Sequence, residues 1–368
     1  MASDRVPYVN LIAQHEPLKD ELLAAVERVL DHGQFVLGPE VAQFENQFAE
    51  LCGVEYAVGV SNGTVALVLA MQALGVGPGD EVITPPNSFL ASTSSIVLAG
   101  ASPVFVDVGE DYNIDSDLIE KAITPQTRAI MPVHLTGRPA QMNRILDIAN
   151  RHNLHVIEDC AQSVGARYHD RPVGSFGAAG CFSLHPLKNL SAVGDGGVIT
   201  TNDAGLCEWL RKARNHGLRN RDECEFWSQN ARLDTIQAAM LLVKLQYLAG
   251  WTELRRDHAA YYQSELNGVV GVPVDKPHEH AVYHTFIIMS ENRDELQSYL
   301  AKQGVETKIH YPIPIHRQKP AGGTGEMSFP VTESQTQRIL SLPVYPELTD
   351  AQRQHVVKCI QRFFESGA

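Results

Sequence analysis

Hydrophobic positions between residue 55 and about residue 200 fall into short runs that alternate with longer helical patterns. The runs are YAVGV, EVIT, PVFVDV, RAIMPVH and HVIED, which are rich in valine and isoleucine and are closed by turn-forming residues. Short continuous apolar runs are typical of strands buried on both faces, and the patterns between them are long enough for crossover helices. The pattern predicts an α/β fold with a mostly parallel sheet covered by helices.

Beyond residue 200 the pattern changes to longer helical stretches. WLRKARNHG and TIQAAMLLVKLQYLAGWTELRRDHAAYYQSELNG each fit a helix, and the second is long enough to bridge to a separate C-terminal unit. That unit would contain the strand YHTFIIM, an amphipathic helix through RDELQSYLAKQG and a last helix through DAQRQHVVKCIQRFF. We therefore predict a large domain over residues 1–250, including the N-terminal segment, and a smaller α+β domain over residues 251–368.

The composition narrows the class of partner. The 368 residues are 44% hydrophobic and carry a net charge of −13, which argues against a nucleic-acid surface and against binding to anionic membranes. No apolar run approaches the roughly 20 residues of a membrane span, and the N-terminus lacks an apolar leader, so we expect a cytoplasmic protein. The six cysteines include no CxxC pair, which predicts reduced thiols.

The first candidate site is the turn SNGT, which follows the predicted strand YAVGV. A helix that begins near Thr64 leaves free backbone N–H groups and the positive end of its dipole at this turn, a geometry that binds phosphate. On its own, the turn fits an ordinary helix cap better than a binding site. Ligands of parallel sheets bind at the carboxyl ends of the strands. The turn therefore indicates a binding site only if residues that follow other strands lie beside it.

A lysine, an acid and an amide follow two further strands. Lys188 lies in CFSLHPLKNLSAVGDGG, between an apolar run and a glycine-rich loop, and Asp159 and Gln162 lie in HVIEDCAQS. A sequestered lysine can bond to an aldehyde, a carboxylate can keep a pyridine nitrogen protonated, and an amide can reach a phenolic oxygen. The three groups together match what pyridoxal 5′-phosphate requires, although a carboxylate at a strand end also caps helices or pairs with arginine.

Several longer strings resemble one family. EDCAQSVGA, CFSLHPLKNLSAVGDGG, GDEVITPPNSFLASTSSIVLAGASPVFVDV and ILSLPVYPELTD are similar to segments of the DegT/StrS-type sugar aminotransferases, which are fold type I pyridoxal phosphate enzymes. The resemblance runs from about Leu11 to Ile360. It departs at Leu184, where an aromatic residue is usual, at PPNSF, and at QNARLD, which lacks the usual glycine before its asparagine.

The resemblance implies roles for the residues that match its motifs. Lys188 would hold the cofactor covalently and then carry a proton between substrate and cofactor carbons. Asp159 would pair with the pyridinium, and Gln162 with the ring hydroxyl. During turnover the cofactor would alternate with pyridoxamine 5′-phosphate.

Further cofactor contacts are implied in the same way. Phe89 would stack on the ring, although by itself it fits a core position, and Gly63, Thr64 and Ser183 would bind the phosphate. Asn230 matches a position that reaches the phosphate of the neighbouring subunit's cofactor. A homodimer with active sites at the subunit interface is therefore implied.

Substrate contacts are the weakest part of the resemblance. It places the loop HYPIPIH, with His310, Tyr311 and His316, near the substrate mouth, where rigid packing is the alternative explanation. His185 and Arg219 are further candidates, and Arg219 would suit a nucleotide diphosphate or a donor carboxylate. Solvated charges or ion pairs between subunits are the alternatives for the arginine.

One histidine-rich segment is a candidate metal site. In PHEHAVYH the spacing of His278, His280 and His284 would suit zinc. No carboxylate or cysteine partner is evident in the sequence, and the segment leads into a predicted strand. We predict no metal site.

The implied function is transfer of an amino group from an amino acid, glutamate in the first instance, to a 3-keto or 4-keto deoxysugar linked to a nucleotide. One branch of the family dehydrates sugars and has histidine in place of the lysine, so Lys188 favours transamination. A different fold type I enzyme, such as a lyase, is expected to lack HYPIPIH and SLPVYPEL. A non-catalytic sensor that binds the cofactor or a sugar nucleotide is the third alternative. The sequence decides neither the sugar carbon, the nucleotide nor the pathway.

Overall fold

A computed structural model describes residues 5–322 and 327–366 of the chain, so the outermost ends of the two predicted domains lie outside the described residues. Within the described ranges it contains short 3₁₀ turns and thirteen α-helices. The helices are α1 (Leu11–His15), α2 (Lys19–His32), α3 (Pro39–Cys52), α4 (Gly63–Ala73), α5 (Leu90–Leu98), α6 (Ser116–Ile119), α7 (Met142–His152), α8 (Ala204–Ala213), α9 (Thr235–Leu245), α10 (Leu248–Leu266), α11 (Arg293–Lys302), α12 (Pro330–Arg338) and α13 (Asp350–Glu365).

Three β-sheets are formed by twelve strands of the described residues. The strands are β1 (Tyr56–Val60), β2 (Glu81–Thr84), β3 (Ser102–Phe105), β4 (Thr127–Ile130), β5 (His155–Asp159), β6 (Arg167–Tyr168), β7 (Arg171–Pro172), β8 (Ala179–Ser183), β9 (Gly197–Thr201), β10 (Glu279–His280), β11 (Phe286–Met289) and β12 (Ile339–Leu342). The main sheet has the order β1-β9-β8-β5-β4-β2-β3, a second sheet has the order β10-β6-β7, and β11 pairs with β12.

The main sheet is mostly parallel, as the alternating pattern predicts. Strands β3, β2, β4, β5 and β8 pair in parallel, whereas β9 is antiparallel to both of its neighbours. Strand β1 therefore runs in the same direction as the parallel strands, and the carboxyl ends of six strands meet at one edge. The loops that follow β1, β2, β4, β5 and β8 carry the predicted site residues to this edge.

The apolar runs account for the core. Residues of β1, α4, β5 and β9 pack into one buried cluster, while helix α3 closes a second cluster against β8 and β9. Helix α4 is apolar nearly all round, with six consecutive buried residues from Ala66 to Met71, which explains why it lies beneath other helices and not at the surface. Its first residue, Gly63, follows the end of β1 by three residues.

The long helix predicted after residue 234 is two helices. The N–H groups of Gln246 and Tyr247 bond to the carbonyls of Val243 and Lys244, three residues back, at 3.2 and 3.0 Å. These bonds tighten the last turn of α9 and separate it from α10, which begins at Leu248. Because 3₁₀-type bonds at a helix end leave no mark in the hydrophobic pattern, the sequence did not reveal the break.

The C-terminal part has its own core. Side chains of α10, β11, α11, β12 and α13 form a buried cluster. Val6 also packs into this cluster and forms a bridge with Val305, so the N-terminal segment contacts the C-terminal part as well. Helix α10 spans the predicted boundary between residues 250 and 251, and the division into two domains stays a prediction. No described helix has both the length and the apolar composition to cross a membrane.

Candidate active site

A cavity of about 700 Å³ lies at the carboxyl edge of the main sheet. It collects residues from distant parts of the chain, since the N-terminal segment, the sheet loops and the C-terminal part all line it. Ten of the predicted site residues line this cavity: Gly63, Thr64, Phe89, Asp159, Gln162, Ser183, His185, Lys188, His310 and Tyr311. The folding of the sheet therefore brings together motifs that lie more than 200 residues apart.

One end of the cavity is formed by the first turn of α4. Asn62 caps this helix, and its Oδ1 accepts a hydrogen bond from the Val65 N–H at 2.9 Å. The N–H groups of Gly63 and Thr64 have no acceptor among the described residues. Two free donors at the positive end of a helix form an anion site. The turn therefore caps the helix through Asn62 and also provides a site for an anion.

Close backbone contacts explain why glycine occupies this turn. A Cβ on Gly63 would lie 2.8 Å from the Cβ of Ser183 at the end of β8. A Cβ on Gly197, where β9 begins, would lie 2.5 Å from the backbone carbonyl of Asn62. The turn is thus pressed against two strands, which leaves room on the cavity side for an anion and none for a side chain behind it.

Asp159 supplies the acid. It ends β5 and is buried, with 3% of its surface exposed. Its Oδ2 accepts a hydrogen bond from Ser92 Oγ at 2.7 Å, and its Oδ1 accepts one from the Ala161 N–H at 3.1 Å. Burial raises the pKa of the Asp159 carboxyl, while these hydrogen bonds and the positive charge of Lys188 oppose that rise. The two hydrogen bonds fix the direction in which the carboxylate faces the cavity.

Gln162 and two aromatic rings form one wall. Gln162 Oε1 accepts a hydrogen bond from the Thr136 N–H at 2.7 Å, and its Nε2 donates to the hydroxyl of Tyr311 at 3.3 Å. The rings of Tyr311 and Phe89 lie 5.7 Å apart between centroids. Phe89 is 56% exposed, which excludes the core position that it would otherwise fit and leaves its ring free to contact a ligand.

Lys188 supplies the amine. Burial lowers its pKa to about 8, and the Asp159 carboxylate opposes this shift in part. The two groups nevertheless form no ion pair within 4 Å among the described residues. An amine and an acid thus share one cavity with a gap between them. Since burial favours the neutral form of each, neither group is locked into an ion pair with the other.

A lowered pKa alone does not define the site. Burial also lowers the pKa of Lys244 to about 8, but this lysine is fully buried and does not line the cavity. Its Nζ donates hydrogen bonds to the carbonyl and hydroxyl oxygens of Ser191 at 2.9 and 3.3 Å. Lys244 therefore has a structural role between α9 and the glycine-rich loop.

Several further residues line the cavity that sequence reasoning did not assign to it. Among them are Tyr8, Ser92, Arg255, His284 and Thr285. His284 Nδ1 lies 3.3 Å from Asn189 Oδ1, and its pKa is lowered first by burial and then by the charges of Lys188 and Arg255. Ser92 lies in the segment NSFLAS and His284 in PHEHAVYH, whereas Tyr8 and Arg255 belong to no motif and reach the cavity only through tertiary packing.

Three predicted residues lie outside this cavity. Arg219 is exposed and forms ion pairs with Glu223 and Glu225 at 4.0 and 3.7 Å. His316 is buried, and its Nε2 lies 2.9 Å from Glu333 Oε1. Their assignment as substrate contacts finds no support within one chain. Asn230 is exposed at an isolated bridge with Asn215, and its assignment, which concerns a neighbouring subunit, stays a prediction.

The three histidines considered for zinc do not converge. His278 stacks on His169 with 4.8 Å between centroids, His280 lies 3.9 Å from Glu253, and His284 faces the cavity. Among the described residues, the one group with the spacing of metal ligands is His134, Glu158 and Cys160. Glu158 in that group already accepts hydrogen bonds from the N–H groups of residues 174, 176 and 177, which accounts for its burial.

These residues fit pyridoxal 5′-phosphate group by group. The free N–H groups of α4 fit its phosphate, Asp159 fits its ring nitrogen, and Lys188 fits its aldehyde carbon. The aldehyde carbon and the ring nitrogen lie on opposite sides of the pyridine ring. The gap between Lys188 and Asp159 is therefore the arrangement that the ring requires.

Comparison with known proteins agrees with this geometry. Residues 16–361 match the DegT/DnrJ/EryC1/StrS aminotransferase family. The chain belongs to this aminotransferase family. The resemblance inferred from the sequence motifs is therefore confirmed.

Similar curated proteins include some named as enzymes and some named as regulatory or sensory proteins. The dTDP-3-amino-3,4,6-trideoxy-alpha-D-glucose transaminase of Streptomyces venezuelae is 44% identical over 366 residues, 98% of this chain and 97% of the relative. The Pleiotropic regulatory protein of Geobacillus stearothermophilus is 43% identical, covering 99% of this chain and 100% of the relative. The UDP-N-acetyl-3-dehydro-alpha-D-glucosamine 3-aminotransferase of Acidithiobacillus ferrooxidans is 43% identical, covering 97% of each.

Solved structures of family members have the same fold. DesV of S. venezuelae, determined in complex with a ketimine intermediate, superimposes with a TM-score of 0.96 at 44% identity and covers 98% of this chain and 99% of that one. The Bacillus subtilis protein ntda, determined with bound cofactor PMP, has a TM-score of 0.94 at 30% identity and covers 99% and 86%. The fold class predicted from the sequence, a fold type I transferase, is confirmed.

Replacing Gly63 with alanine tests the anion site. The new methyl group would lie 2.8 Å from Ser183 Cβ, so the turn would have to open and its two free N–H groups would move. We expect the affinity of the apoprotein for pyridoxal 5′-phosphate, measured by absorbance titration, to fall about 10- to 100-fold, the effect of losing one charge-assisted hydrogen bond. Gly250→Ala in α10, where a Cβ meets open space, is the matched control with unchanged affinity. An unchanged affinity of Gly63→Ala would contradict the assignment.

The pKa of Lys188 predicts a pH dependence. Only the unprotonated amine attacks an aldehyde, so we expect covalent attachment of pyridoxal 5′-phosphate to the apoprotein to accelerate with rising pH and to level off above a midpoint of about 8. Borohydride reduction and peptide mapping should then find the label on Lys188. Lys244 serves as the internal comparison, since its pKa is also about 8 but it is enclosed. A midpoint near 10.5, or label on Lys244, would contradict the prediction.

Proposed function

We propose that this protein is a pyridoxal phosphate-dependent aminotransferase that moves an amino group from an amino-acid donor, glutamate in the first instance, to a keto sugar linked to a nucleotide. The observation that carries the proposal is the placement of Lys188 and Asp159 in one cavity, without a direct ion pair, in a chain of an aminotransferase family. The cofactor is the one predicted from the sequence, and ntda of the same fold carries its amine form.

We further propose that the amino group is placed at C3 of the sugar. The sequence alone left C3 and C4 open. The two enzymes named above both carry an amino or keto function at C3 in their names, although one uses a dTDP-linked and the other a UDP-linked sugar. A shared carbon with different nucleotides supports a 3-keto substrate and leaves the nucleotide open.

The chain's own groups divide the chemistry between them. When bound, the cofactor supplies an electron sink for the carbon that loses its proton. The Asp159 carboxylate, aimed by Ser92 and Ala161, would keep the ring nitrogen protonated and so preserve that sink. In the first half of the reaction Lys188 Nζ would remove the proton from the donor carbon and give it up to the cofactor. In the second half it would take up a proton again and deliver it to the sugar carbon. Lysine at this position, in place of the histidine of the dehydrating branch, supports transamination.

Two additional observations concern assembly and location. Trp227 is 95% exposed, and Phe35, Val36 and Leu37 are exposed in succession, which supports a subunit contact near Asn230. Val36 forms a bridge with Asp234, four residues after Asn230, so these surfaces adjoin. A homodimer follows as part of the proposal. The six free cysteines are compatible with a reducing compartment such as the cytoplasm.

A spectroscopic half-reaction tests the activity. The purified yellow protein should lose its long-wavelength absorption band when L-glutamate is added, since the cofactor is converted to its amine form. A nucleotide-linked 3-keto sugar should then restore the band, while the matching 4-keto sugar should restore it more slowly. Lys188→Ala should bind cofactor and show no change, and the surface variant Lys302→Ala should behave like the wild type. A wild-type protein that binds cofactor but responds to no amino acid would favour the sensor that the name of the Geobacillus relative suggests.

Mixed dimers test the interface. If Asn230 reaches the neighbouring subunit's site, a dimer of one Lys188→Ala and one Asn230→Ala chain contains one intact site. One of the two sites in each mixed dimer is intact, so we expect about half of the wild-type activity per site in purified mixed dimers, although each variant alone is impaired. Restored activity would be measured after co-expression and purification through two tags. If the mixed dimers were no more active than the two parents, Asn230 would belong to its own subunit's site or to none.

A further inference from the structure

Arg255 is a buried cation in the cavity that the proposed reaction has not yet used. It lies on α10, lines the cavity, and has 6% of its surface exposed. Its Nη1 donates hydrogen bonds to the carbonyls of Tyr283, at 3.3 Å, and Val344. Its Nε is buried and has no acceptor among the described residues. One edge of the guanidinium is therefore anchored to the backbone while other donors are unused.

The charge of Arg255 lacks a direct counterion. In the described parts of the chain no carboxylate lies within 4 Å of its guanidinium, and Glu347 acts on it only from a greater distance. Burial lowers the pKa of Arg255 to about 10, which still leaves it protonated at neutral pH. A buried, unpaired cation is costly unless a ligand supplies the opposite charge. An anionic group of a ligand bound beside the Arg255 guanidinium would therefore be stabilised.

A second unpaired donor lies close by in the chain. The hydroxyl of Thr285 is buried without a hydrogen-bond partner among the described residues, and Thr285 also lines the cavity. It follows Tyr283, whose carbonyl holds Arg255, by two residues. Unpaired buried polar groups on the walls of a cavity are typical of a site whose ligand completes their hydrogen bonds.

Position decides which anion fits. Arg255 and Lys188 line the same cavity, and His284, which also lines it, lies within electrostatic range of both. The phosphate of the cofactor already has donors at Gly63 and Thr64. A nucleotide diphosphate is separated from the reacting carbon by part of the sugar ring and must lead out to solvent, which a buried arginine does not match. A carboxylate of an amino acid is only a few bonds from the reacting nitrogen.

We propose that Arg255 binds a carboxylate of the amino-acid donor and so selects amino acids over simple amines in the first half-reaction. The inference rests on the proposed function. Arginine suits this task because its planar donors match the two oxygens of a carboxylate. The anchored Nη1 fixes the plane of the guanidinium, which orients the donor before its carbon is deprotonated.

Binding and half-reaction measurements on Arg255→Gln test the proposal. We expect the dissociation constant of glutarate for the cofactor-loaded protein, measured by calorimetry, to rise about 10- to 100-fold, and the concentration of L-glutamate needed for half-maximal loss of the yellow band to rise similarly. Protein preloaded with pyridoxamine 5′-phosphate should react with the keto sugar at nearly the wild-type rate. Arg255→Lys keeps the charge but loses the planar pair of donors. Its dissociation constant for glutarate should lie between those of the wild type and Arg255→Gln.

Arg256→Gln is the matched control. Arg256 is the next residue of α10 and also donates to a backbone carbonyl, that of Ala281 at 2.8 Å, but it does not line the cavity. The Arg256→Gln variant should bind glutarate with the same dissociation constant as the wild type. If Arg255 merely fixed the backbone, Arg255→Gln would impair the donor and sugar steps equally, and that result, or unchanged glutarate binding, would overturn the proposal. A wild-type protein inert to all amino acids would instead overturn the proposed function.

Shortened donors show which carboxylate is bound. L-2-aminobutyrate keeps only the α-carboxylate, and 4-aminobutyrate keeps only the distal one. If Arg255 binds the α-carboxylate, Arg255→Gln should weaken the reaction of L-2-aminobutyrate; if it binds the distal carboxylate, the variant should weaken that of 4-aminobutyrate. Either outcome supports the proposal, and equal reactivity of wild type and variant toward both donors would contradict it.

Discussion

The site depends on a buried acid and a half-buried amine that face one cavity without forming an ion pair. Burial raises the pKa of Asp159 and lowers that of Lys188, and each charge favours the ionised form of the other. A direct ion pair would satisfy both and would inactivate the amine. Ser92 and Ala161 hold the carboxylate in place, so the separation is maintained by the fold and not by a ligand. The strands and loops around the site therefore keep the carboxylate and the amine apart.

The same constraint explains why much of the site could be predicted from the sequence. Gly63, Asp159, Ser183 and Lys188 each lie at or just after the carboxyl end of a strand, and the strands are visible as apolar runs. In a sheet whose strands run the same way, such ends meet at one edge whatever the details of the crossover helices. Local motifs and one rule of sheet topology were therefore sufficient to predict that these residues lie close together.

Residues that reach the cavity by tertiary packing escaped prediction for a physical reason. Arg255 is one of two consecutive arginines on α10, and only the exposure of the two, 6% for Arg255 against a half-buried Arg256, distinguishes them. Tyr8 comes from a segment that precedes the first helix by three residues. His316, in contrast, belongs to a suggestive motif but is buried against Glu333. Which face of an element meets the cavity is set by packing partners far away in the sequence.

A transaminase of this kind must accept two unlike substrates in one cavity, an amino acid with carboxylates and a sugar without them. A fixed buried cation would favour the first and leave an unpaired charge when the second is bound. The guanidinium of Arg255 limits this conflict, because Nη1 keeps its hydrogen bonds to two backbone carbonyls whichever substrate is bound. A carboxylate adds charge attraction and further hydrogen bonds, whereas the sugar step does not depend on the arginine. A single anchored arginine therefore discriminates among donors while still tolerating the acceptor, which a lysine, with a compact and strongly hydrated charge, would do less well.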